Sequence, residues 1–254
     1  MVNVFGQSDA VGKKGDKGDT GDSGFSIIFF SKQLLKWFNE ILILSFYFDT
    51  ETSGILIEDE KRVGIKNQVT NKNAKALTHV GSMSKIDISG KYALEFKNTV
   101  YKVENIDWAF SNTQKSILIF AFKVPTFVTN KQYIFHTMNK DEINRAVYIE
   151  NADLVIQTSS LTKVPYRSDS WNICYIEYGK ESNYWINENT GTFQTIHIVE
   201  TDYNLLIGGK DENTFNGIIA RIDFYSERHV HEGFLPVGIR DIIIESYKAL
   251  IPYD

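Results

Sequence analysis

The sequence predicts an all-β sandwich that begins near residue 41 and is preceded by a short triple helix and a short helical neck. Three observations carry this prediction: glycine at every third position, an apolar run with three-four spacing, and short alternating strands separated by polar turns. We therefore divide the chain into an N-terminal tail (1–11), a stalk (12–24), a hydrophobic neck (25–40) and a sandwich head (41–254).

The stalk has the Gly-X-Y spacing of collagen. GKKGDKGDTGDSG places glycine at Gly12, Gly15, Gly18, Gly21 and Gly24. Only glycine fits at the axis where three chains of a collagen-like triple helix meet, so the spacing predicts a homotrimer. The segment is short and contains no proline, so a downstream segment has to hold the three chains together. The alternative interpretation is a flexible charged linker.

The neck is the candidate segment for holding the three chains together. Its apolar residues follow the three-four spacing of a coiled-coil seam. The predicted trimerisation residues are the five stalk glycines together with Ile27, Phe30, Leu34, Trp37 and Ile41. A seam of barely two heptads is too short to be stable alone. Residues 41–48, ILILSFYF, are predicted to form the first strand of the head. The alternative is that the whole stretch packs on the head and makes no coiled coil.

The head is predicted to consist of short strands separated by turns. The predicted strands are KYALEFK, SILIFAFKV, QYIFHTM, AVYIE, LVIQT, WNICYIEYG, NYWIN, TFQTIHI, NLLIGG and GIIARIDFYS. Turns are predicted at residues 151–153 and 188–191. Ile218, Ala220, Ile222 and Phe224 alternate with Arg221 and Asp223, which predicts one apolar face. GIRDIIIESYKALI predicts a short closing helix.

Composition excludes several classes of function. The chain has 254 residues and a net charge of -5, which gives no basic field for nucleic acid. Its one cysteine, Cys174, lies in an apolar alternation and is predicted to be a buried thiol. Charged and amide residues interrupt the apolar run at 25–48, so we expect no membrane insertion. The first residues lack the pattern of a secretory signal.

The order of segments in the head resembles the concanavalin A-like (laminin G-like) jelly roll over about residues 41–248. The resemblance is carried by GKYALEFKNTVYKVEN, SILIFAFKV, SDSWNICYIEYGKESNYWINENTG and NLLIGGKDENTFNGIIARIDFYSE. The matching positions are Trp171, Tyr178, Trp185, Asn187, Gly208, Gly209, Phe215, Gly217, Ile222 and Tyr225. The resemblance implies the fold, aromatics that fill the space between two sheets, and a tendency to bind glycans or surface proteins.

Stalk, neck and lectin-like head in one chain also resemble the collagen-like fibre proteins of large DNA viruses, virophages and phages. This resemblance implies a homotrimeric attachment protein on the surface of a virion or similar particle, assembled inside a cell. Its expected partners are itself, a cell-surface glycan or protein, and other particle components. The alternatives are a carbohydrate-active hydrolase on the same fold and a purely structural capsid or coat component.

Residue types indicate which positions are candidates for catalysis or for glycan binding. Hydrolases of this fold carry carboxylates at alternating positions of one strand, and no such run occurs, so we expect a protein that is not an enzyme. Aromatic rings beside amides and carboxylates are typical of glycan recognition. The predicted ligand-binding residues are Trp108, Tyr166, Arg167, Asp211 and Asn213.

No motif assigns a metal or cofactor. Laminin G-like relatives often bind calcium through Asp and Asn oxygens, and residues 139–141 and 210–213 are candidate loops. Neither loop has a distinctive calcium spacing. His229 and His231 could share one side of an extended segment, but a polar turn is the simpler interpretation.

Overall fold

The structure is a computed structural model that describes residues 42–47, 54–58, 61–67, 69, 75–88, 91–104, 116–139, 142–179, 181–195, 204–210, 212–226 and 239–253. The stalk, the neck and all the predicted trimerisation residues lie outside these ranges, so the trimer stays a prediction. The head is described from its first strand to a C-terminal helix, α1 (Ile239–Lys248).

The described residues form two sheets. The eight-stranded sheet contains β1 (Leu42–Tyr47), β5 (Ser84–Asp87), β6 (Tyr92–Lys97), β8 (Ser116–Lys123), β13 (Trp171–Tyr178), β14 (Ser182–Ile186), β15 (Asn189–Phe193) and β19 (Asn216–Ser226). Its order is β15-β14-β13-β8-β19-β6-β5. The 11-residue β19 is long enough to pair with β6 through its first half and with β1 through its second.

The eleven-stranded sheet contains β2 (Ile55–Glu58), β3 (Lys61–Lys66), β4 (Lys75–Val80), β7 (Val100–Val103), β9 (Gln132–Asn139), β10 (Glu142–Glu150), β11 (Asp153–Gln157), β12 (Leu161–Pro165), β16 (Asn204–Ile207), β17 (Gly209–Lys210) and β18 (Asn213–Thr214). Its order is β12-β11-β10-β9-β16-β7-β4-β3-β2. The short hairpin of β17 and β18 lies beside the start of β9.

The two sheets stack face to face around an aromatic and aliphatic core. Phe46, Phe120 and Phe224 come from the eight-stranded sheet, and Tyr101 and Phe135 from the other, all at 3% exposure or less. The ladders are antiparallel apart from one parallel contact between β18 and β9. The molecule is therefore an all-β, two-sheet antiparallel sandwich, as the sequence predicts. Cys174 is buried in this core, which confirms its predicted burial.

Helix α1 covers the outer face of the eight-stranded sheet. Ile243, Ile244 and Tyr247 are buried there against a second apolar cluster of the sheet, and the Tyr247 hydroxyl donates to the Ile119 carbonyl at 3.2 Å. The predicted closing helix is confirmed. No helix among the described residues is long and apolar enough to cross a membrane.

Two aromatics of the jelly-roll resemblance lie outside the inter-sheet core. Tyr178 is buried between the sheets, in agreement with the expectation. Trp171 and Trp185 belong instead to the cluster beneath α1. Their role is to build the surface on which the helix packs.

The prediction that Ile218, Ala220, Ile222 and Phe224 share one face of β19 is wrong. The register between β19 and β8 shifts at Ala220, and a bulge of this kind adds one residue and turns the following side chains over. Ile222 and Phe224 face the core between the sheets. Ile218 and Ala220 face the helix side.

Two polar residues of the same strand, Arg221 and Asp223, form an ion pair on the α1 side of the sheet. Asp223 is 0% exposed, and its Oδ2 lies 2.6 Å from Arg221 Nε. Its Oδ1 accepts a hydrogen bond from Ser45 Oγ at 2.5 Å. The Arg221 guanidinium also lies 5.4 Å from the Tyr247 ring centroid. This ion pair is enclosed by structure and is no candidate for binding an external ligand.

Two hairpin turns were predicted, and one is displaced in the structure. The β10–β11 turn uses Asn151 and Ala152 in the left-handed region, at φ 51° and 65°, which matches a two-residue hairpin loop. The β14–β15 turn uses Asn187 and Glu188, at φ 45° and 76°, instead of the predicted residues 188–191. The strand after it therefore begins at Asn189.

Candidate functional site

An open polar groove lies at one end of the eleven-stranded sheet. Its volume is about 560 Å³. The described lining residues come from the loop before β9, the ends of β9 and β10, the β6–β7 turn, the β17–β18 hairpin and the start of β19. They are Asn98, Thr129, Asn130, Lys131, Gln132, Glu150, Glu212, Asn213, Thr214 and Asn216.

Side-chain hydrogen bonds across the groove connect distant parts of the chain. Thr214 Oγ1 donates to Asn98 Oδ1 at 2.9 Å, and the Asn216 N–H donates to Gln132 Oε1 at 3.0 Å. These contacts join residues 116 and 84 positions apart. The groove is thus a product of the tertiary fold and is fixed by its own wall residues.

A glycine brings the β17–β18 hairpin close enough to form one wall. Gly209 has φ 148°, and a Cβ atom there would lie 2.6 Å from Thr214 Cα, so a larger residue would push the hairpin open. The hairpin is also tied to β9, because the Gly208 N–H donates to the Ile134 carbonyl at 2.7 Å. The Gly-Gly pair therefore positions Asn213 and Thr214.

The groove lining is rich in groups that exchange hydrogen bonds with hydroxyls. Amides can donate and accept at the same time, hydroxyls do both, and carboxylates accept. Five amides, two threonines and two glutamates line it, with one lysine. Such a surface is complementary to a polyhydroxylated molecule.

A pair of tyrosines lies next to the groove beneath Lys131. The Tyr133 and Tyr148 ring centroids are 5.3 Å apart, and Lys131 Nζ lies 4.3 Å from the Tyr148 centroid. Burial, and then the negative charge of Glu150, raise the pKa of both phenols. Both hydroxyls stay protonated at neutral pH, beside Lys131 and Glu150.

The structure places the predicted site residues in different environments. Asn213 lines the groove and is exposed. Tyr166 and Arg167 are not among the lining residues; Tyr166 is 5% exposed, so its ring is closed to a ligand. Arg167 lies 5.4 Å from the Tyr253 ring centroid. Trp108 and Asp211 lie outside the described residues.

Sequence reasoning missed most of the groove. Its residues occur as isolated polar positions at strand ends, where Asn, Thr and Lys ordinarily indicate turns. Asn98 is an example: its φ of 55° suits a turn, and the same conformation directs its amide to Thr214. The one usable signal was the polar loop at 210–213, which predicted Asn213.

The part of the chain that the structure describes contains no group of three or more His, Cys, Asp or Glu residues that could hold a metal ion. His229, His231 and residues 140, 141 and 211 of the candidate calcium loops lie outside it. Calcium therefore stays an open expectation of the resemblance, and no step below depends on it.

Comparison with solved structures places the fold. The chain is similar to the binding domain of botulinum neurotoxin DC in complex with rat synaptotagmin II, at 13% identity and a TM-score of 0.57, over 83% of this chain and 52% of that one. It is similar to Domain 4 of AbnA, a GH43 extracellular arabinanase from Geobacillus stearothermophilus in complex with arabinotriose, at 16% identity and a TM-score of 0.51, over 80% and 98%.

A third similar structure is of botulinum neurotoxin type C, whose cell entry depends on interaction with two ganglioside molecules, at 15% identity and a TM-score of 0.55, over 84% of this chain and 52% of that one. The chain thus spans about half the length of the toxin chains it matches. No protein-family model and no curated protein matches it.

The fold is therefore a jelly-roll sandwich of the concanavalin A-like type. It resembles the botulinum toxin binding domain and the arabinanase domain. At such low identity the likeness concerns the fold alone, and the function has to be argued from the groove.

Proposed function

We propose that the sandwich is a carbohydrate-binding domain and that the polar groove holds the sugar. The observation that carries this proposal is the groove lining, in which five amides and two threonines meet two glutamates within about 560 Å³. Sugar hydroxyls both donate and accept, so amide and carboxylate side chains can pair with several of them at once. A volume of this size accommodates a small ligand.

The comparisons support the same class of ligand. One similar domain was solved with arabinotriose, and a similar toxin interacts with gangliosides. Another similar structure holds a protein, synaptotagmin II, so a surface protein is the second candidate partner. The lining favours the sugar, because its described residues are polar throughout and a protein partner usually needs an apolar centre.

The proposed role is binding without hydrolysis. Glu150 and Glu212 share the groove, and a pair of carboxylates is also what a glycosidase uses. The hydrolase alternative therefore has a specific observation in its favour. Product analysis after prolonged incubation with each bound oligosaccharide separates the two, because a binding domain releases its ligand intact.

The proposal extends to display of several heads together. The glycine repeat and the neck predict three chains, and three linked sites would raise the apparent affinity of a weak one by effective concentration. Attachment of a virion or similar particle is the setting proposed for such a trimer.

A glycan array probed with the full chain tests the groove. We compare the wild type with the double variant Asn130→Ala/Asn213→Ala, which removes two exposed amides, and with Asn189→Ala, which removes an exposed amide on β15. Each lost hydrogen bond costs about 1 kcal/mol, or roughly fivefold in affinity. We expect the double variant to bind about 25-fold more weakly and Asn189→Ala to match the wild type. A blank array, or equal binding by the double variant, would overturn the proposal.

A further inference from the structure

Phe127 has an exposed aromatic ring and is close in sequence to residues that line the groove. It is not itself one of the lining residues. Phe127 is 65% exposed, more than Leu77, Val80 or Leu161, the other large exposed hydrophobic residues among those described. A phenylalanine ring left in water forgoes the favourable free energy that burial would give it. A ring kept in this position is a candidate for contact with a ligand.

The backbone of Val128, the residue after Phe127, is held by two hydrogen bonds. The Val128 N–H donates to the Tyr166 hydroxyl at 3.1 Å, and the Val128 carbonyl accepts from the Ala152 N–H at 3.1 Å. The Phe127 ring also contacts the Tyr166 ring, with centroids 6.1 Å apart. An exposed ring on a fixed backbone loses little entropy when it binds a partner.

Phe127 lies close to the groove along the chain. Val128 is buried, whereas Phe127 and Thr129 on either side of it are exposed. Thr129 is a lining residue of the groove. Two residues of chain span at most about 7 Å, so the backbone of Phe127 lies next to the groove lining.

We propose that Phe127 is a stacking surface for a second sugar unit, and that the ligand is an oligosaccharide that extends from the groove across this ring. This inference rests on the proposed carbohydrate binding. None of the described lining residues is aromatic, so Phe127 supplies the apolar face that sugar C–H groups need. Tyr166 acts as a positioning residue, because its hydroxyl and ring hold the Phe127 loop.

The test uses the full chain and homologous series of one to four units of glucose, galactose, mannose and arabinose. For the wild type, affinity should rise when a second and a third unit are added. Phe127→Ala should remove about fivefold from that rise and leave single-unit binding unchanged, while Phe127→Trp should keep it. Leu161→Ala, which truncates another exposed side chain, is the matched control.

Tyr166→Phe keeps the ring and removes the hydroxyl that holds Val128. We expect it to lower trisaccharide affinity and to leave single-unit affinity unchanged, whereas a purely structural role for Tyr166 would lower both together.

The outcomes separate the two proposals. If the wild type binds these sugars and Phe127→Ala reproduces its whole length dependence, stacking on Phe127 is overturned while carbohydrate binding stands. Equal losses for one and three units would also overturn it, because the ring would then act through the groove. If the wild type binds no member of any series, the proposed function fails and this inference fails with it.

Discussion

Asn172 holds two loops together through a single buried amide. Its Oδ1 accepts from the Arg167 N–H at 2.7 Å and from Asn187 Nδ2 at 2.5 Å. Its Nδ2 donates to the carbonyls of Arg167 and Ser170. Asn187 in turn accepts from the Ile173 N–H at 3.1 Å. The amide pair therefore joins the loop after β12 to the β14–β15 turn.

Asn172→Ala should lower the free energy of unfolding by about 2 kcal/mol, because it leaves buried donors without acceptors. Urea unfolding followed by circular dichroism measures the change. Asn189→Ala, at an exposed position, is the control and should change stability by less than about 0.5 kcal/mol. A loss in Asn172→Ala as small as in the control would show that the amide pair does not hold the loops.

Five buried tyrosines should make the fold sensitive to alkali. Burial raises the pKa of Tyr101, Tyr175, Tyr178, Tyr225 and Tyr247. In the unfolded chain a phenol has a pKa of about 10, so above that pH the folded state binds more protons than the unfolded state. Their contribution to stability is complete below about pH 9 and falls as the pH rises past about 10.

Absorbance of tyrosinate and circular dichroism, recorded together during alkaline titration, measure this effect. We expect only part of the 13 tyrosines to ionise before the fold is lost, and the rest to ionise with unfolding. Reversible ionisation of all 13 while the native spectrum persists would contradict the burial of these phenols.

At the scale of elements, the sequence predicted where the strands lie along the chain better than it predicted which face of the sheet each side chain occupies. Apolar alternation predicted β19, but alternation cannot reveal a bulge, because the extra residue at Ala220 is itself small and apolar. The pairing with β8 decides where the register shifts. The register shift, and not the polarity of Asp223, decides on which face of the sheet this side chain lies.

The displaced turn after β14 has a similar physical cause. Gly191 suggested a turn because glycine is common there. In the structure a Cβ on Gly191 would lie 2.6 Å from the Tyr184 hydroxyl oxygen, so this glycine leaves room for a neighbouring side chain. Asn187 and Glu188 make the turn instead.

Helix α1 contributes to stability through its buried face. Ile243→Ala should lower the free energy of unfolding by about 3 kcal/mol, because it removes a buried side chain and leaves a cavity against the sheet. Glu245→Ala, on the exposed face of the same helix, should cost less than about 0.5 kcal/mol. Urea unfolding of both variants measures the difference. Equal small losses would mean that the helix is not packed on the sheet as described.

At the scale of the whole molecule, the sandwich was predictable and the groove was not. Strand patterns are local, so they can be read from short windows of sequence. The groove depends on contacts such as Thr214 to Asn98, 116 positions apart, and no local pattern records them. Asn213 was found because its own loop is polar, and Phe127 was missed because a phenylalanine in sequence suggests a core.

The molar mass in solution tests the predicted trimer. Light scattering should give three chains for the full protein and one chain for a version that starts at residue 41, which keeps the first strand from Leu42. The reason is that the glycine repeat and the neck hold the predicted trimer contacts. A monomeric full chain would contradict the trimer, and a trimeric short version would move the interface into the head.

The crystal structure of the full chain with the trisaccharide that it binds best tests the central claim most directly. The account predicts one sugar unit in the groove, within hydrogen-bond distance of the amides of Asn98, Asn130 and Asn213, and a second unit stacked on Phe127. A trisaccharide bound elsewhere, for example beside α1 on the eight-stranded sheet, would contradict it.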